Sequence, residues 1–251
     1  MDCLEGMKLI PDNSIDLIVT SPPYDEIRDY KGFSLDLHNV GKEISRILKD
    51  GGMCVMVIQD QTKDGRKSLT SFKTIVDWCK TELDLWECCI YQRSGVPGNW
   101  WSKRFRVDHE YIPIFIKGKR PQYFNKEHMM IECKNVGKKF SGNVRLTNGE
   151  SLEKNFICSD KKCCGTIINY ESERNLDNRN KIKKQHPATF PDKLASDFIQ
   201  CFTKEGMIVL DPFMGSGTVA VMAKKLNRNY IGFEISKEYC DIAEQRLKLL
   251  I

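Results

Sequence analysis

Two hydrophobic periods alternate along the chain, and that alternation constrains the fold more than any other feature. Short, continuous apolar runs read as strands: "SIDLIVT" (14–20), "MCVMVI" (53–58) and "MIVLD" (207–211) as buried ones, and "LWECCIYQ" (85–92), "EYIPIFIK" (110–117) and "NYIGFE" (229–234) as further strands. Between them lie helical patterns. "LHNVGKEISRILKD" (37–50) lines up Val40, Ile44, Ile47 and Leu48, and Gly51-Gly52 ends it. "SLTSFKTIVDWCKTEL" (68–83) lines up Phe72, Ile75, Val76 and Cys79. "PDKLASDFIQCFT" (191–203) starts on Pro191, "GSGTVAVMAKKLN" (215–227) opens from a glycine turn, and "SKEYCDIAEQRLKLL" (236–250) starts on a serine cap. Strands alternating with helices predict a mostly parallel, doubly wound α/β sheet. Pro113 marks the 110–117 run as an edge strand.

Residues 119–185 break the pattern. Apolar periodicity fades and Lys, Asn, Gly and single aromatics dominate, which predicts a loop-rich insert with a functional reason for its length. The expected organisation is 1–118, an insert over 119–185, and 186–251. Charge sharpens this division. The chain is +5 overall, but residues 93–145 hold twelve Lys/Arg against four acids, so the excess is local and points to a polyanion partner. No apolar run reaches eighteen residues and the N-terminus has no signal-peptide core, so the expectation is a cytoplasmic protein without a membrane span. Eleven scattered cysteines then read as reduced thiols. "CSDKKCC" (158–164) with Cys133 lacks a paired metal-ligand spacing, so no metal is expected.

Two short motifs carry chemistry. "VLDPFMGSGTVAVMA" runs strand, glycine turn, helix, with Glu234 ending the next strand 23 residues after Asp211. Gly215 and Gly217 let backbone approach a ligand, and a carboxylate at 234 can accept both ribose hydroxyls. No lysine follows the glycines, so this is not a P-loop, and the ligand need not carry a triphosphate; an adenosine with a non-phosphate tail fits as well. The second motif, "TSPPY" (20–24), stops a buried strand on two prolines. A dinucleotide-dependent oxidoreductase would explain the glycine turn but leave "TSPPY" and the basic segment idle; a non-catalytic DNA-binding module would leave both motifs idle.

Together these motifs resemble the amino-methylating DNA methyltransferases of the beta-type, circularly permuted order. "DPFMGSGT" with "IGFEISKEYCDIAEQRL" is similar to their cofactor half, "TSPPY" to their catalytic motif, "HPATFPDKLASDFI" to the segment closing the methionine end of the cofactor, and "DHEYIPIFIKG" to the motif before the recognition insert. The resemblance implies a Rossmann-like sheet and S-adenosyl-L-methionine as cofactor. It implies cofactor contacts from Asp2, Asp211, Phe213, Gly215, Ser216, Gly217, Thr218, Glu234, His186, Pro187 and Phe190. Ser21, Pro22, Pro23 and Tyr24 would form the catalytic turn against a flipped-out base. A serine before the prolines favours the N4 amine of cytosine, with the N6 amine of adenine as the alternative. Double-stranded DNA is the implied partner, and a homodimer and a cognate restriction endonuclease are compatible with the family.

DNA contact is expected from about residue 93 onward, where aromatics interleave with bases: Arg93, Trp100, Trp101, Lys103, Arg104, Arg106, Lys138 and Lys139. One departure stands out. Six strands are legible where the family sheet has seven, because no strand precedes "DC" at Asp2 and Cys3; the expectation is a start placed too late or a sheet short at that edge.

Overall fold

The computed structural model describes residues 1–23, 35–94, 105–171 and 191–250. Its centre is a seven-stranded sheet in the order β11-β5-β6-β2-β1-β12-β13. The strands are β1 (Ile15–Thr20), β2 (Leu48–Met56), β5 (Leu83–Ser94), β6 (His109–Lys117), β11 (Ile167–Glu171), β12 (Ile208–Asp211) and β13 (Asn229–Gly232). All pairings are parallel except β2 with β6 and β5 with β6. β1 is buried at every position, as its unbroken apolar run requires of a central strand.

From β1 the chain crosses through α2 (Leu37–Ile47) to β2 on one side, and from β12 through α5 (Thr218–Lys225) to β13 on the other. Right-handed crossovers in opposite directions put α2 and α5 on opposite faces. They also make the β1–β12 boundary the topological switch point, where open α/β sheets bind ligands beyond the strands' carboxyl ends. α1 (Cys3–Lys8) and α3 (Thr70–Trp78) adjoin α2, while α4 (Asp192–Phe202) and α6 (Lys237–Lys248) adjoin α5. A two-residue hairpin, β3 (Thr62–Lys63) and β4 (Arg66–Lys67), precedes α3.

Several expectations need correcting. The strand at 110–117 lies inside the sheet, not at an edge. Its β2 ladder runs Met53↔Ile116, Cys54↔Phe115, Val55↔Ile114, then stops. It resumes as a lone bridge, with Ile58 and Tyr111 exchanging N–H···O bonds of 3.0 and 2.9 Å. By alternation the N–H at 113 would also face β2, so Pro113, which has none, falls in the gap. The seventh strand is present but comes from within the supposed loop-rich insert: β11 pairs with β5, Ile167↔Ile90 to Glu171↔Ser94. α2 ends at Ile47, and Leu48 already belongs to β2. In α3 the buried side chains are Ser71, Thr74 and Trp78, while Phe72, Val76 and Cys79 are exposed. Two anchors fix that rotation: the Ser71 amide donates to buried Asp60 at 2.8 Å, and the Trp78 indole N–H donates to the Leu37 carbonyl at 2.8 Å.

Residues 126–165 form a separate compact unit. It holds two small antiparallel sheets, β7 (Met130–Glu132) with β10 (Lys161–Cys163), and the ribbon β8 (Lys139–Arg145) with β9 (Ser151–Ile157). Every ribbon residue is exposed, so no burial alternation announced these strands. The stacked rings of Phe140 and Phe156, 5.6 Å apart, join its two strands.

Among the described residues no helix is long and apolar enough to cross a membrane. All eleven cysteines lie among the described residues, and none is in a disulfide.

At the start of β1, buried Asp16 ties three segments together. Its Oδ1 accepts from Lys49 Nζ at 2.6 Å and Gln122 Nε2 at 3.1 Å, and its Oδ2 accepts from the Ile208 amide at 2.8 Å, which fastens β1 to β12. Asp16→Ala leaves a buried N–H and an ammonium without their acceptor. We expect it to lower stability by about 2–4 kcal/mol, read as a lower urea midpoint.

Candidate active site

The carboxyl ends of β1 and β12 lie side by side, in register Leu17↔Val209 and Ile18↔Leu210. "SPP" follows the first strand and "PFMGSG" the second. The two turns are joined by one buried bond: Thr20 Oγ1 donates to Asp211 Oδ1 at 2.7 Å. The same Oδ1 accepts from the Phe213 amide at 3.0 Å. The Thr20 carbonyl accepts from the Val57 amide at 2.8 Å, so the residue before Ser21 is held from β12 through its side chain and from the end of β2 through its backbone. Pro22 is buried; Ser21 and Pro23 are half-buried. Tyr24 lies outside the described residues, as do His186, Pro187 and Phe190.

Asp211 is an acid in an unusual state. Burial raises its pKa from 3.8 to about 7, against the Thr20 and Phe213 hydrogen bonds, which lower it; the Glu234 charge adds to the rise. The folded chain holds this proton more tightly than the unfolded one, so the group's contribution to stability falls as pH climbs from the ordinary carboxylate range to about 7. No described residue bonds its Oδ2.

The glycine turn is shaped by what packs beneath it. Gly215 (φ +50°) and Gly217 (φ +79°) are left-handed. A Cβ at Gly217 would come within 2.8 Å of Ala243 on α6, so the position needs glycine for conformation and for space. Ser216 and Thr218, expected to line the ligand, turn inward instead. Arg246 of α6, itself buried, donates through Nη1 to the Ser216 carbonyl (2.6 Å), Ser216 Oγ (3.3 Å) and Thr218 Oγ1 (3.3 Å). Its Nη2 pairs with Asp192 of α4 at 3.4 Å. Arg246 thus holds the turn from below. On sequence it is one more charged residue on an amphipathic helix, and its only signal is that it falls four residues after Ile242 on the buried face.

Glu234 sits two residues past β13. Its Oε2 accepts from the Gly215 amide and Oε1 from the Ser236 amide, each at 2.8 Å. These bonds aim the carboxylate toward the glycine turn and leave acceptor capacity on both oxygens. Asp2 is the N-cap of α1, accepting from the Leu4 and Glu5 amides at 2.9 and 3.3 Å, a structural use beside the cofactor contact expected of it. It is nonetheless in the right neighbourhood: the Met1 ammonium donates to the Glu234 carbonyl at 2.6 Å, and Gly6 packs so closely on the Phe233 ring that a Cβ there would lie 2.4 Å away. Phe213, half-buried, packs on the core.

Residues 15–245 match the DNA methylase family of N6- and N4-type methyltransferases. The chain belongs to that family. It is similar to the orphan methyltransferase M.BamHII of Bacillus amyloliquefaciens, 40% identical over 245 residues, covering 95% of this chain and 91% of that one. Among solved structures it resembles the PvuII cytosine-N4-specific DNA methyltransferase (TM-score 0.74, 22% identity, 98% of this chain and 84% of that one). It also resembles M1.HpyAVI in complex with S-adenosylmethionine (TM-score 0.65, 23% identity, 98% and 96%). Members of the family transfer a methyl group from S-adenosylmethionine to an exocyclic amine of a DNA base, and the fold shared with these structures is the α/β sheet described above.

The residues present suit that cofactor. An acid with an unpartnered oxygen and a glycine turn that no side chain can fill meet the opening end of a helix, with a second acid at the end of the next strand.

Of the residues expected on DNA, Trp100, Trp101, Lys103 and Arg104 lie outside the described residues. Arg93 has other work: its Nη1 pairs with Glu110 at 3.2 Å across β5 and β6, and its side chain is mostly covered. Arg106 is more exposed, 3.9 Å from Asp108. Lys138 and Lys139 are exposed in the separate unit, Lys139 opening β8.

Arg246→Leu removes the clamp under the turn while keeping the helix face apolar. We expect it to weaken cofactor binding measured by calorimetry and to cost about 2 kcal/mol of stability in the same protein's thermal unfolding.

Proposed function

We propose that the chain methylates the N4 amine of cytosine in double-stranded DNA, using S-adenosylmethionine. The observation that carries the choice of base is Ser21: a hydroxyl, not a carboxylate, precedes the two prolines at the end of β1. The amine's lone pair is delocalised into the pyrimidine ring, so the protein's task is to localise it and aim it. The Ser21 hydroxyl and a proline carbonyl of the rigid turn accept the two amine hydrogens, which favours a pyramidal nitrogen. Thr20 fixes where that turn sits, and the prolines limit the ordering lost when the base arrives. Bound S-adenosylmethionine supplies an electrophilic methyl on a sulfonium. Glu234 receives the ribose hydroxyls on its free lone pairs, the backbone of residues 213–217 lies along the methionine tail, and Asp211 Oδ2 takes the tail's ammonium. A duplex base reaches this turn only by leaving the stack, and Tyr24, the next residue in sequence after the two prolines, is the aromatic proposed to stack on it.

Incubation with DNA and methyl-labelled cofactor, followed by digestion to nucleosides, should put the label in N4-methyldeoxycytidine. Label in N6-methyldeoxyadenosine would reassign the base, and unlabelled DNA would sink the reading. Ser21→Ala should bind cofactor normally and lose on the order of a hundredfold in turnover.

The ammonium contact has a pH signature. Only the ionised Asp211 carboxylate attracts an ammonium, and its pKa stands near 7, with Glu234 and Cys54 as the neighbouring titratable groups. Cofactor binding then expels a proton below that value, so affinity should weaken about tenfold per pH unit below 7 and level off above it. Asp211→Asn should flatten the dependence.

A further inference from the structure

The β8–β9 ribbon has two unlike faces. Its register pairs Lys139↔Ile157, Ser141↔Asn155, Asn143↔Glu153 and Arg145↔Ser151 on one side, and Phe140↔Phe156, Gly142↔Lys154 and Val144↔Leu152 on the other. Side chains alternate between faces along each strand, so the first set is a row of hydrogen-bonding groups and the second is largely apolar. Both are exposed. On the polar face Asn143 and Asn155 are exposed strand residues, and neither side chain closes a turn or caps a helix. The one fixed bond on it, Ser141 Oγ to Glu153 Oε1 at 2.5 Å, holds an acceptor in place across the strands.

We infer that the polar face of this ribbon is the surface that reads base edges in the major groove, with Ser141, Asn143, Asn155 and Glu153 toward the bases and Lys139 and Arg145 toward the phosphates. This inference rests on the DNA reading above. A two-stranded ribbon fits the major groove, about 12 Å wide. Alternate residues on one strand lie about 6.8 Å apart, two base steps of duplex at about 3.4 Å each. Lys139 and Arg145, six residues apart, therefore bracket about six base steps with a positive charge at each end. The sign of the unit agrees, with eight Lys/Arg against five acids over residues 126–165. The side chains agree too: asparagine pairs with adenine N6 and N7 through two bonds, and a carboxylate accepts from a cytosine amine. The Phe140–Phe156 stack on the opposite face joins the two strands that present them.

The test is a randomised duplex library methylated by the full chain, with methylated positions mapped by sequencing. Asn143→Ala and Asn155→Ala should each relax the preference at one or two positions of the recognised site, with discrimination falling on the order of tenfold, while cofactor binding is unchanged. Lys139→Gln should weaken DNA binding at all sequences and reduce its salt dependence. Leu152→Ser, on the apolar face, should leave the site preference as it is. If both asparagine variants keep the parent's preference at every position, or if Leu152→Ser alters it and they do not, the polar face is not the reader. A parent chain that methylates no DNA would overturn the function itself, a different result from a parent that methylates one site and variants that still do.

Discussion

The fold and the site both depend on the seam between β1 and β12. These strands are adjacent in space and about 190 residues apart in sequence, and each end of the seam is closed by an aspartate. Asp16 takes the Ile208 amide at the opening end, and Asp211 takes the Thr20 hydroxyl at the closing end. Backbone pairing sets the spacing of two parallel strands, but their relative slide is fixed by such side-chain bonds. Because "SPP" and "PFMGSG" begin where the strands stop, the slide of this seam also sets the offset between the two turns.

Burial at the closing end has a second effect. Placing Asp211 at the switch point takes it out of water, and only two hydrogen bonds on one oxygen oppose the cost of ionising it. The other oxygen then has no hydrogen-bond partner among the described residues. That is unfavourable for the empty protein and suits a cationic ligand, the usual trade at functional sites. Arg246 does the reverse on the far side of the glycine turn: it brings a full charge into the interior, where Ser216, Thr218 and Asp192 satisfy it and the turn is held from below.

Much of this was legible because central parallel strands and the helices over them leave strong periods. β1, β2, β12 and β13 could be read from their apolar runs, and the switch point follows from the alternation. What was not legible has physical reasons. Pro113 signals an edge when N–H loss is weighed alone, but a ladder can lapse for two residues and close again at Ile58↔Tyr111. β11 was hidden within polar sequence because only its last residues are well covered: Ile167 is 68% exposed and Tyr170 2%. The partners of Thr20 and Arg246 could not be found from spacing, because Asp211, Ser216 and Asp192 reach them through the tertiary fold. Asp2 reads as a ligand contact by position, yet as the first acid before a helix it also caps α1.

The unit over residues 126–165 enters and leaves between two strands of the main sheet, β6 and β11, and makes its internal contacts with itself. Closing a longer loop adds little entropy, growing only with the logarithm of its length. The sheet therefore tolerates insertions, deletions or wholesale replacement there at small thermodynamic cost, while the β1–β12 seam tolerates almost none. Such a chain can change in one part while the other stands still: the unit evolves as interchangeable cargo, the sheet as a fixed frame.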